Sequence, residues 1–219
     1  MSLKKSIADV LFVIQIIGAF VLCGSQFIRF LETTQGQLLS MFLIMEVYLA
    51  LHLMLAIAAH RAQPSRVTQQ TVWVFVMWLT LIGSNILAIF INGEYVWSQN
   101  DTNTMWLATA GMVLVYAIVH VRKVGLTDPM PKAWLAMLCK AGPQFIMAFE
   151  VALKGGAGVP LAAVIAGNFT ILIRMGQVAF AIYEAGWERN RIWLFVSETM
   201  NEISWATVSV VWAFWYFAQ

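Results

Sequence analysis

Charge is what this sequence has least of. Of its 219 residues, 11% are Asp, Glu, Lys or Arg and 61% are hydrophobic. A soluble domain is about a quarter charged and near half apolar. This chain has too few polar groups to cover a surface in water, and lipid is the solvent its composition fits. A net charge of +2 supplies no field for a nucleic acid partner. Cysteine is scarce as well. Cys23 and Cys139 both fall in apolar stretches, so they read as small buried hydrophobes rather than as a disulfide or a thiol metal site. No two of His52, His60 and His120 share a metal-ligand spacing, and packing or helix-end roles suit them better. Catalytic signatures are missing too: there is no His-Glu-x-x-His, no Gly-x-Ser-x-Gly and no phosphate loop. Neither an enzyme nor a cofactor is expected. The last apolar stretch contains no lysine, which excludes a retinal Schiff base.

What the chain has instead is long apolar runs. A bilayer core of about 30 Å needs roughly 20 apolar residues per helix. Seven stretches qualify, near 10–31, 39–59, 72–92, 105–121, 133–153, 158–183 and 192–217. The connections between them are short, so the expected fold is an all-α membrane protein of seven transmembrane helices. The first stretch is too long for a signal-peptide core and lacks a small-residue cleavage site, so it is expected to be retained. Lys4, Lys5, Arg61, Arg66, Arg122, Lys123, Lys132, Arg189 and Arg191 would fall on one side, and only Arg29 and Lys154 on the other. The positive-inside rule then puts the N-terminus in the cytoplasm and the C-terminus outside. A bacterial-type inner membrane is the expected location.

The chain repeats itself. Gly24-Ser25-Gln26-Phe27-Ile28-Arg29-Phe30-Leu31-Glu32 closes the first run, and Gly142-Pro143-Gln144-Phe145-Ile146-Met147-Ala148-Phe149-Glu150 lies in the fifth. Five of the nine positions are identical at a constant offset of 118. The spans then divide into three helices (1–103), a linker helix with its loop (104–132) and three more helices (133–219). An odd number of intervening spans makes the two units parallel, the arrangement in which transporters bind solute near the midplane. Gly142-Pro143-Gln144-Phe145, followed by Lys154-Gly155-Gly156-Ala157-Gly158-Val159-Pro160, resembles the proline–glutamine loop of the PQ-loop/SWEET (MtN3-like) transporter superfamily. In the first unit Ser25 replaces the proline and the turn is Gly36-Gln37-Leu38-Leu39-Ser40. The resemblance implies two parallel three-helix bundles and a solute pocket lined by asparagine and aromatic residues on the third helix of each, which Asn85 and Asn201 match best here. Eukaryotic SWEET proteins have their N-terminus outside, opposite to the charge bias of this chain. Physically, a proline within a membrane helix frees a carbonyl and opens a kink, which the neighbouring Gln144 can re-satisfy. Gln26, Pro143 and Gln144 are thus candidate hinge residues, with a static packing bend as the alternative.

Ionisable groups in mid-span are costly and mark function by default. Glu46 and Arg174 fall near the centres of the second and sixth spans, where they suggest either a mutually neutralising pair or functional groups. Glu198 and Glu202 are candidates for proton coupling, and Glu150 is near enough to a helix end to snorkel. In the seventh span Glu198, Asn201, Glu202, Trp205, Ser209 and Trp212 share one helical stripe. Thr170, Arg174 and Gln177 form another in the sixth. Trp78, Asn85 and Asn92 stack in the third, with Ser84 on a flanking line. Together with Asn168, these helices suggest an aromatic-walled polar cavity for a flat, hydrogen-bonding solute. The candidate substrate residues are therefore Trp78, Ser84, Asn85, Asn168, Arg174, Asn201 and Trp205, although Asn, Ser and Thr also serve as interhelical glue. The expected function is alternating-access transport of a sugar, vitamin, nucleoside or amino acid. The alternative is a non-transporting receptor or partner subunit on the same fold. Membrane lipids are the other expected partners, and the sequence leaves self-association open.

Overall fold

A computed structural model describes residues 3–219, with side chains from Val10 onward except Val67. The Lys4 and Lys5 side chains, which enter the charge count above, lie outside the described residues. The described residues form seven helices and no strand: α1 Leu3–Glu32, α2 Leu39–Ala62, α3 Arg66–Asn92, α4 Gln99–Arg122, α5 Pro129–Lys154, α6 Leu161–Ala185 and α7 Arg189–Phe217. The first six are long and apolar enough to cross a membrane. Helix α7 has the length, but Glu198, Asn201, Glu202 and its tryptophans make it less apolar than the others. Large apolar side chains such as Val47, Phe90, Leu114, Ile165 and Phe214 cover the outside. An apolar exterior of this extent on spanning-length helices points to an integral membrane protein.

Three helices begin earlier than their apolar runs suggest, because polar caps start them. Ser65 and Thr68 form a capping box at the head of α3. Ser98 and Asp101 form a reciprocal capping box at the head of α4. Asp128 caps α5 by accepting from Met130 N, with Pro129 in the first turn. A hydropathy window does not register such turns, so α4 reaches 24 residues, the same length as α2.

Helix α3 packs against both α1 and α2, and α7 packs against both α5 and α6. Across the molecule α1 packs on α6 and α2 on α5, while α4 lies against α2 and α5. The α1–α6 contact is close: a Cβ on Gly18 would be driven into Thr170 Oγ1. Small residues at helix crossings allow that approach.

One end of the bundle is sealed. Phe30, Leu38, Phe42, Met147, Val151 and Val208 are wholly buried there, with Phe30 edge-on to Phe42 at a centroid distance of 5.4 Å. Above this core the α1–α2 turn meets the α5–α6 turn. Gly158 N donates to Gln35 O at 2.9 Å, Arg29 Nε donates to Ala157 O at 2.6 Å, and Gln35 Nε2 donates to Lys154 O. Helix α2 has no capping side chain of its own at Leu38. Its first N–H groups are met from elsewhere, Leu39 N by the Tyr95 hydroxyl at 2.8 Å and Ser40 N by Asp101 Oδ1 at 2.9 Å. Burial, reinforced by its hydrogen bond to Asp101, holds the Tyr95 hydroxyl well above its usual pKa, so it donates to Asp101 while accepting from Leu39. Glu150 does not snorkel. It is 2% exposed, paired with Lys154 at 2.6 Å and hydrogen-bonded by Asn100, because α4 packs over it and closes its path to the surface.

Candidate functional site

Below the sealed core lies a cavity of about 570 Å³, within the range of small-molecule sites. All helices except α4 contribute to its wall. Its upper limit is set by buried residues such as Gln26, Phe42, Gln144 and Trp205. At the opposite limit stand Phe12, Gln70, Lys132, Gln177 and Leu194, half-buried, and the exposed Thr71. The cavity therefore opens toward the end that carries the α2–α3, α4–α5 and α6–α7 connections, and it is closed at the other.

Trp78, Arg174, Asn201, Trp205, Glu198, Gln26 and Gln144 all line this space, as does the whole Thr170, Arg174, Gln177 stripe. Arg174 Nε stands 3.8 Å from Glu198 Oε1, and its Nη1 donates to Gln177 at 3.2 Å. The predicted pairing of Glu46 with Arg174 is thus corrected: the arginine turns to α7 and takes Glu198. Glu46 lies against α3, where a Cβ on Gly83 would sit 3.4 Å from its Oε1, and its Oε2 has no hydrogen-bond partner among the described residues. Asn201 lines the cavity and is 6% exposed, and its Oδ1 is buried and likewise unpartnered there. Trp205 is fixed by packing, with its ring against Gly167 and its Nε1 donating to Val164 O at 3.4 Å.

The other predicted residues sit elsewhere. Ser84 donates to Leu81 O within its own helix at 2.7 Å. Asn168 donates to Val164 O and to Ser209 Oγ, joining α6 to α7. Glu202 lies outside the lining, with Oε2 unpartnered among the described residues. Asn85 is fully buried behind the wall and donates to Gln26 Oε1 at 3.3 Å. Its counterpart in the other half of the chain is notable. Gln144 Oε1 accepts from Ser204 Oγ at 2.6 Å, so the two repeat-related glutamines make the same kind of link, from α1 to α3 and from α5 to α7.

Pro143 follows a π-helical turn over Met137–Ala141, in which Gly142 N reaches back to Met137 O. Proline donates no hydrogen bond, and a widened turn is one way a helix absorbs that loss. Two cations that sequence reasoning gave no site role lie on the same helix. Lys132 and Lys140, one within the π turn, both face the cavity. His52 lines it as well, its ring tilted by 38° against that of Tyr48 at a centroid distance of 4.1 Å. Among the described residues no group of ligands suits a metal ion. No known family model, curated protein or solved structure is significantly similar to this chain.

Proposed function

We propose that this protein carries a small polar solute across a membrane by alternating access, with seven spans arranged as two parallel three-helix units joined by α4. The observation that carries the proposal is the cavity itself: it is walled by α1, α2 and α3 from one unit and α5, α6 and α7 from the other, and by nothing from α4. The packing is also symmetric under exchange of the units. The third helix of each lies against the other two, and the α1–α6 contact has its equivalent in α2–α5. Such a pseudo-two-fold relation suits rocking of one unit against the other. The matched Gln26–Asn85 and Gln144–Ser204 links support the resemblance to the PQ-loop/SWEET superfamily. With the N-terminus cytoplasmic, the cavity faces the cytoplasm, and the interlocked turns form the outer closure. The π turn and Pro143 supply a hinge in α5, with Ser25 and Gln26 as its weaker counterpart in α1.

A cavity open at one end also fits a membrane receptor that binds and does not transport. Flux separates the two. A thermal-shift screen of sugars, nucleosides, vitamins and amino acids on the purified protein selects a binder, which is then assayed for uptake into proteoliposomes. Saturable uptake, reduced at least about tenfold by Asn201→Leu in folded protein, is expected. Binding without flux for every selected solute would instead make the protein a receptor.

A further inference from the structure

We infer that the cavity is built for an anion: a small soluble solute with a carboxylate or phosphate held by Lys132 and Lys140 and a flat apolar body against Trp78 and Phe75. The inference rests on the cavity described above and deepens the carrier reading by naming the solute's charge. Among the described residues, three permanent cations line the space, Lys132, Lys140 and Arg174, against one carboxylate, Glu198. That carboxylate is engaged with Arg174. Neither lysine has an ion-pair or hydrogen-bond partner among the described residues, and Glu46 and Glu202 lie outside the lining. Both lysines are within electrostatic reach of one group, His52, so their fields add in the same part of the cavity. Eight residues separate them by about 12 Å along α5, and the local geometry decides which face each takes. In an uninterrupted α-helix, eight residues leave Lys140 about 80° round from Lys132. The wider π turn over Met137–Ala141 takes up much of that excess, so both ammonium groups reach the cavity. A lysine in mid-span without a partner, as Lys140 is among the described residues, is expensive unless a ligand compensates it, and a single-sign cleft with low-dielectric walls concentrates counter-ions. The walls add Phe75, Trp78 and Tyr48, which suit a planar body.

The test works before any solute has been identified. Ala136 lines the cavity between the two lysines. The native thiols Cys23 and Cys139 are replaced by Ala, Ala136→Cys is introduced, and Val74→Cys on α3 serves as a second probe of the same space. Full-length protein in phosphatidylcholine nanodiscs is reacted with methanethiosulfonates of opposite charge, sulfonatoethyl and trimethylammonioethyl. Each rate is divided by that of the reagent with free 2-mercaptoethanol, which removes the reagents' intrinsic difference, and thiol ionisation cancels because both attack the same thiolate. The anionic reagent is expected to react at least about tenfold faster, and Lys132→Gln with Lys140→Gln should bring the ratio near one while labelling persists. A ratio at or below one in the parent overturns the anion assignment and leaves the carrier reading intact. A ratio unmoved by removing the lysines overturns their role. No labelling at either position shows that no water-filled cavity exists, and both proposals fall. Discs containing phosphatidylglycerol provide a second arm. Protection of the thiol there assigns the anion to lipid and overturns a soluble solute, whereas unchanged labelling supports it.

Discussion

The interlocked turns at the sealed end set up a sharp comparison between two glycines. Gly36 and Gly93 both adopt the left-handed conformation, with φ of +77° and +71°. Replacing either by alanine puts a Cβ where it opposes the following carbonyl, at a cost of about 1–2 kcal/mol. For Gly93 that is nearly the whole effect, since the nearest atom to the new Cβ is Ile91 O at 4.0 Å. At Gly36 the Cβ is driven into the carbonyl oxygen of Gly155, with the carbonyl carbon at 3.2 Å and Val151 Cγ2 at 3.3 Å. Gly155 cannot retreat freely, because its turn is tied back through Gly158 N to Gln35 O. Overpacking of this kind adds about 1–3 kcal/mol. Gly36→Ala is therefore expected to cost about 2–5 kcal/mol and Gly93→Ala about 1–2 kcal/mol. For a chain of this length about 1 kcal/mol corresponds to roughly 2–4 °C, so thermal and SDS-titration unfolding in mild detergent resolve the two. Equal destabilisation would mean that the two turns do not touch and that their contact does not close this end of the bundle.

Other expected outcomes bear on different parts of the fold. Asp101→Ala removes the acceptor for Ser40 N, Ser98 N and the Tyr95 hydroxyl and should cost about 2–4 kcal/mol, measured by the same unfolding assays. Gln26→Leu strands the buried Asn85 amide and should cost about 1–2 kcal/mol; a Gln26→Leu/Asn85→Leu double variant that loses the full sum would show the two side chains are not coupled. Glu198→Gln frees a partly exposed Arg174 and should change stability by less than about 1 kcal/mol while lowering uptake of the selected solute in proteoliposomes. Gly167→Ala forces a Cβ into the Trp205 ring and should cost about 1–3 kcal/mol; the cost should shrink in a Trp205→Leu background, and an unchanged cost there would refute the contact.

Much of the site was legible because it obeys periodicities. The Thr170, Arg174, Gln177 spacing follows the helical repeat, so all three residues reach one surface, and Glu198, Asn201 and Trp205 do the same on α7. The Gln26 and Gln144 correspondence was readable because the repeat preserves it at a fixed offset. Asn85 was placed on the right helix but on the wrong side of the wall, because its face is shared between the cavity and Gln26 and spacing does not say which partner wins. The Glu46–Arg174 expectation failed for a related reason. Two opposite charges at similar depth invite pairing, but α2 does not pack on α6, whereas α7 does and places Glu198 beside the arginine. Lys132 was assigned to a loop, and Lys140 was given no role, because a hydropathy profile shows neither the Asp128 cap nor the π turn.

The sequence by itself pointed to the solvent and the helices, and it carries one nine-residue segment that recurs at a constant offset. Composition, run length and a constant offset are one-dimensional quantities, and lipid leaves a helix as the only structure an open chain can adopt across it. Tertiary structure alone decided which polar groups meet. It closed one end of the bundle by pairing two turns whose hydrogen bonds link residues about 120 positions apart, gave Arg174 to Glu198, and turned Lys132 and Lys140 into one cavity. Those outcomes depend on which side chains compete for one partner in space, and no residue carries that information alone.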